Sequence, residues 1–164
     1  MELKKFLIKK GENSSGSFFK PFIEIESIAY NVIFNNTCLY KSYLSKQIVK
    51  NNLFGFKFGF GNKNSAEFSW SCRDNKIIIG ATCYKNGIKY VRELCELDIN
   101  KPYILKIENL GLHYEFSISN EKKEITFARI HKPDTCMWGF RTFPNFHTHT
   151  VSPQDIEIEM EKIH

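Results

Sequence analysis

Phe54-Gly55-Phe56-Lys57-Phe58-Gly59-Phe60 sets four phenylalanines on alternate positions, with glycine or lysine between them. Successive side chains of a strand point to opposite faces, so this spacing predicts a strand with one aromatic face and one open face. The next segment repeats the logic: Ala66, Phe68, Trp70 and Cys72 alternate with Glu67, Ser69, Ser71 and Arg73. Asp74-Asn75-Lys76 reads as a turn into Ile77–Tyr84, and Asn86-Gly87 is a hairpin signal because both residues tolerate positive φ. A meander of three strands, about 66–73, 77–85 and 88–96, follows.

Further out, Tyr103–Glu108, Leu112–Ile118 and Ile125–Arg129 each alternate, separated by Asn109-Leu110-Gly111 and Asn120–Lys123. Ile156, Ile158 and Met160 alternate with acidic residues and predict a closing strand. Phe22–Phe34 reads as one long strand bent near Ser27. Leu39–Asn52 carries Tyr40, Tyr43, Leu44, Ile48 and Val49 at helical spacing, which suggests a short helix or an irregular crossing. Nine or ten short strands with little helix point to an all-β fold: two antiparallel sheets stacked as a sandwich, with a small closed barrel as the alternative. At 164 residues the chain suits one domain, 1–164.

Fifteen Phe, seven Tyr and two Trp supply a core that a disordered chain lacks. The net charge of +5 is spread along the chain with acidic residues between the lysines, so no basic face for nucleic acid is expected. Lys4-Lys5 and Lys9-Lys10 suit a solvated edge strand. The five cysteines, Cys38, Cys72, Cys83, Cys95 and Cys136, form no close pairing motif, and buried free thiols are expected. No segment is long and apolar enough for a signal peptide or a membrane span. The expected location is the cytoplasm for the chain as it stands, or outside the cell if a leader was removed.

The least regular stretch is Trp138–His149. His147 and His149 could share one face, with Cys136, His131 or Asp155 to complete a zinc site, but a metal needs three or four convergent ligands and only two are locally paired. No metal and no cofactor are expected. Trp138, Phe140, Phe143 and Phe146 are either core or the flanks of a groove. With Arg141, Asn145, His147, His149 and Asp155, such aromatics can stack on sugar rings and hydrogen-bond hydroxyls. Glu67, Glu93, Glu96 and Glu115 are the carboxylates an acid–base mechanism would draw on, Glu93 with Glu115 flanking a cleft. No nucleophile elbow and no phosphate-binding loop occurs.

Asn64–Trp70, Tyr84-Lys85-Asn86-Gly87, Arg141–Phe146 and Ser152–Ile158, with Ile8-Lys9-Lys10-Gly11, resemble a family of uncharacterised β-sandwich proteins from gut-type bacteria. That resemblance implies a jelly-roll or concanavalin-like sandwich and carries no catalytic residues. The chain departs from the family at Pro144-Asn145-Phe146-His147-Thr148, where the family has Pro-Tyr-Phe-Gly-Gly. The leading expectation is a non-enzymatic module binding carbohydrate through Trp138, Arg141, Asn145, His147, His149 and Asp155. The alternatives are a structural or assembly protein of a surface or phage particle, which would form homo-oligomers, and a polysaccharide-cleaving enzyme.

Overall fold

The computed structural model describes residues 3–16, 20–24, 26–40, 51–60, 63–120, 124–132, 138–146 and 151–163. Twelve strands lie among them: β1 (Lys4–Ile8), β2 (Lys20–Ile23), β3 (Ser27–Phe34), β4 (Asn51–Phe58), β5 (Asn64–Arg73), β6 (Lys76–Lys85), β7 (Ile88–Leu97), β8 (Pro102–Asn109), β9 (His113–Ser119), β10 (Glu124–His131), β11 (Trp138–Thr142) and β12 (Ile156–Ile163). They form two six-stranded sheets, ordered β1-β12-β3-β8-β9-β10 (sheet A) and β2-β11-β4-β5-β6-β7 (sheet B). Every pairing between these strands is antiparallel. The expected two-sheet sandwich is present, and the described residues add one 3-10 turn at Asn36–Cys38.

Alternation decides what lies between the sheets. Phe54 pairs Phe68 and Phe56 pairs Ala66, so the inner face of sheet B carries Phe54, Phe56, Phe58, Phe68 and Trp70. Sheet A answers with Tyr30, Phe34, Tyr114 and Phe116. Ring centroids meet across the interface at 4.8 Å for Tyr30–Phe54, 5.2 Å for Phe68–Phe116 and 5.7 Å for Phe34–Trp70. Such pairs contribute about 0.5–1.5 kcal/mol each beyond their buried area.

Two expectations change, and a third falls mostly outside the described residues. Phe60 leaves the aromatic stripe: it lies past the end of β4, is 84% exposed, and packs on Trp138. Phe22–Phe34 is two strands in different sheets, because the chain turns at Glu24, whose φ of 50° ends β2 and sends β3 to sheet A. Most of the expected helical segment, 41–50, lies outside the described residues, while Asn51 and Asn52 already belong to β4.

The meander closes as expected. Asn86 and Gly87 both take positive φ (51° and 83°), as do Asp74 and Asn75 (51° and 60°), which suits tight two-residue hairpins. Cys38, Cys72, Cys83 and Cys95 are free thiols; Cys136 lies outside the described residues. Burial pushes the Cys38 and Cys83 thiols up to about 12, so neither is a thiolate near neutral pH. No helix among the described residues is long and apolar enough to cross a membrane.

Phe56 has no exposed surface and its ring lies 5.9–6.0 Å from those of Phe22, Phe58 and Tyr114. Phe56→Ala is expected to cost about 3–5 kcal/mol in urea unfolding, from lost burial and the cavity left behind. A loss under about 1 kcal/mol would contradict this account of the core.

Candidate functional site

The side of sheet B turned away from the core holds the unusual chemistry. Register lines up Phe140, Lys57, Ser65, Tyr84 and Lys89 as one row across β11, β4, β5, β6 and β7. The next row is Thr142, Gly55, Glu67, Thr82 and Val91, and a third runs through Ser69, Gly80 and Glu93. Ser65 is the small residue at the middle of the first row, whereas Glu67 stands at the middle of the second between Gly55 and Thr82. Ser65, Glu67, Ser69, Thr82 and Thr142 are all buried, so β5 and β6 are covered along both faces.

Glu67 is the focus. It is 1% exposed, and its Oε1 has no hydrogen-bond partner. Burial raises its pKa above the ordinary 4.5; Lys57, the Thr142 and Ser65 hydroxyls and Lys89 pull the other way. Gly55 keeps β4 close beside it, because a Cβ there would lie 2.1 Å from the Ala66 carbonyl oxygen. On the far side Thr82 Oγ1 donates to Ser69 Oγ (3.1 Å), which donates to the Gly80 carbonyl (3.2 Å). Tyr84 shares this environment: its partial burial and Glu67 both raise its pKa, and Lys89 Nζ stands 5.9 Å from its ring centroid.

An aromatic corner borders the first row. Trp138 and Phe140 are two residues apart on β11 and share the outer side, with ring centroids 5.9 Å apart. Phe60 packs edge-on to Trp138 at 4.9 Å, and Gly59 N–H donates to the Trp138 carbonyl (3.2 Å). The four aromatics of the irregular stretch therefore divide. Trp138 (37% exposed) and the half-buried Phe140 look outward, whereas Phe143 and Phe146 are core.

Of the residues singled out in the sequence, Trp138 stands on this face. Arg141 alternates to the inner side, paired with Phe56; its charge reaches Tyr30 of sheet A, and its Nε has no hydrogen-bond partner. Asn145 bridges Ser14 and Asn52 through its backbone, while its side-chain amide donates to the Phe143 carbonyl at 2.9 Å. Asp155 is exposed and accepts from the Lys10 N–H at 2.8 Å. His147 and His149 lie outside the described residues. Trp138, Arg141, Asn145 and Asp155 thus do not converge on one point. His131 sits against His113 (5.6 Å between rings) in sheet A, and no group of three or more metal-ligating side chains occurs among the described residues.

Glu93 and Glu115 do not flank a cleft. Glu93 is on the outer face of sheet B with Arg73 at 2.8 Å, and Glu115 is on the outer face of sheet A with Arg129 at 2.7 Å. Lys57, Tyr84, Lys89, Thr142 and Phe60 were not legible as a group. The available signal was one glutamate among the serines on the polar side of β5, which reads from sequence as a solvent-facing strand.

No family model matches the chain, and no curated protein matches it in sequence. Solved structures do match. A functionally unknown protein from Saccharomyces cerevisiae superposes with TM-score 0.58 at 9% identity, over 89% of this chain and 71% of that one. The alginate lyase from Klebsiella pneumoniae gives 0.62 at 6% identity, over 86% and 60%. The GH43 protein BlXynB from Bacillus licheniformis gives 0.62 at 10% identity, over 98% and 32%. The fold is a jelly-roll-type sandwich. At these identities the likeness is one of fold alone.

Because the native Glu67 holds its proton more tightly than the unfolded chain, its contribution to stability is full below pH 4.5 and declines as pH rises through the native pKa. Glu67→Gln is therefore expected to melt with wild type near about pH 4 and above it near about pH 8. A melting difference independent of pH would remove the buried charge from this account.

Proposed function

We propose that the accessible part of the outer face of sheet B, its aromatic corner and the row of Lys57, Tyr84 and Lys89, binds a saccharide. The observation that carries this reading is the aromatic corner of Phe60, Trp138 and Phe140, continuous along one row with Lys57, Tyr84 and Lys89. Rings offer an apolar platform for the C–H face of a sugar, and the neighbouring hydroxyl and ammonium groups can bond its polar edge. Glu67 lies one row behind, where the charges of Lys57 and Lys89 partly offset the effect of burial on its carboxyl. Two lysines on the ligand row favour a sugar bearing carboxylate or sulfate groups over a neutral one.

A binding role suits the face better than glycoside hydrolysis by paired carboxyls. Hydrolysis by paired carboxyls needs a second carboxyl roughly 5–10 Å from the first. Glu93 and Glu96, the other carboxylates toward this side of β7, are held by Arg73 at 2.8 and 3.8 Å. Among the described residues Glu67 therefore has no second carboxyl free to act with it.

Calorimetric titration with uronate and neutral oligosaccharides tests the reading. Wild type is expected to bind the uronate series more tightly, less so as salt rises. Trp138→Ala, on a half-exposed side chain, is expected to keep the fold and weaken binding about tenfold. Absence of binding to both series, or a Trp138→Ala variant that binds as wild type, would overturn it.

A further inference from the structure

β7 is the outer strand of sheet B, and its residues Ile88 to Glu93 are all exposed. They include Ile88 at 61%, Tyr90 at 46% and Val91 at 43% exposure. An edge of this length and apolar content presents unpaired backbone groups that can pair with another strand. We infer that the partner is a second copy of this chain, joined to β7 antiparallel about a two-fold axis at Val91.

The register follows from the strand's own pattern. Odd residues from Lys89 to Glu93 lie on the outer face with Glu67, and even ones face the core side. A two-fold perpendicular to the sheet must keep outer residues opposite outer residues, so the axis passes through a residue and not between two. Centred on Val91, the pairs are Val91 with Val91, Tyr90 with Arg92, and Lys89 with Glu93. These are apolar, cation–π and opposite-charge pairs respectively. Centring on Tyr90 sets Ile88 against Arg92 and matches no opposite charges; centring on Arg92 sets two guanidinium groups face to face. Glu93 also holds Arg73, so each Lys89 would join an existing ion pair. A register break beyond Glu93, where Gly80 pairs Glu93 but Ile79 pairs Cys95, ends the regular edge and so limits the pairing to one segment.

The dimer carries one continuous twelve-stranded sheet with both outer faces on the same side. If that face binds saccharide as proposed above, the two aromatic corners would engage one long chain together and gain avidity. The dimer itself does not depend on that reading.

Sedimentation velocity and native mass spectrometry over a concentration series test it directly. Wild type is expected to reach twice the 19.2 kDa chain mass. Val91→Lys places two ammonium groups at the axis and is expected to remain at the monomer mass with an unchanged circular dichroism spectrum. Lys89→Glu is expected to weaken dimerisation about tenfold, and the K89E/E93K double variant to recover it. Amide exchange of 89–93 should slow as concentration rises. A wild type that stays monomeric up to its solubility limit, a Val91→Lys variant that still dimerises, or a double variant that recovers nothing would each overturn the inference. Mass and exchange are read without saccharide, so failure here leaves the binding proposal separately testable.

Discussion

The pairing of β4 with β5 is the constraint on which the rest of this structure depends. Phe54 against Phe68 and Phe56 against Ala66 put every large ring of both strands on the inner side. A slip of one residue would turn those rings to the outside and bring Glu67 and the serines into the core. The ring contacts across the sandwich hold that choice in place, from Tyr30–Phe54 to Phe34–Trp70. Once it is made, Lys57, Ser65 and Glu67 have no option but the outer face, and β6, β7 and β11 inherit their registers from it.

The cost of that arrangement gathers at Glu67. A carboxyl with no exposed surface at Oε1 and no partner there is disfavoured by loss of hydration. Lysines nearby reduce the penalty without removing it, since burial remains the largest influence on its pKa. A residue kept under such strain, beside exposed aromatics that the core does not use, is where a binding face is most economically sought. Arg141 is the counterpart on the inner side, in register with Phe56 and near enough for its charge to act on Tyr30. It reads as part of the packing between the sheets.

Much of the fold was legible because alternation is a strong signal wherever one face is buried. β5 to β7, β8 to β10 and β12 follow from it within a residue or two at each end. The break between β2 and β3 was legible only as a bend: the apolar positions change phase across Glu26-Ser27, from Ile23 and Ile25 to Ile28, Tyr30, Val32 and Phe34, but that shift does not reveal that the chain changes sheets at Glu24. The site was legible only in part. Trp138 was visible as an aromatic in an irregular stretch. Its companions Phe60, Lys57, Tyr84 and Lys89 come from three other strands or their ends, and register alone brings them together. Nor does the sequence distinguish a solvated polar face from a covered one, which is why Glu67 looked ordinary.

The central claim is that ligand chemistry belongs to the outer face of sheet B. An amide and side-chain NMR titration with a uronate oligosaccharide tests it most directly. The account predicts shifts concentrated at Phe60, Trp138, Phe140, Lys57, Tyr84 and Lys89, with sheet A unchanged. Shifts centred on the outer face of sheet A, around Glu115 and Arg129, would contradict it.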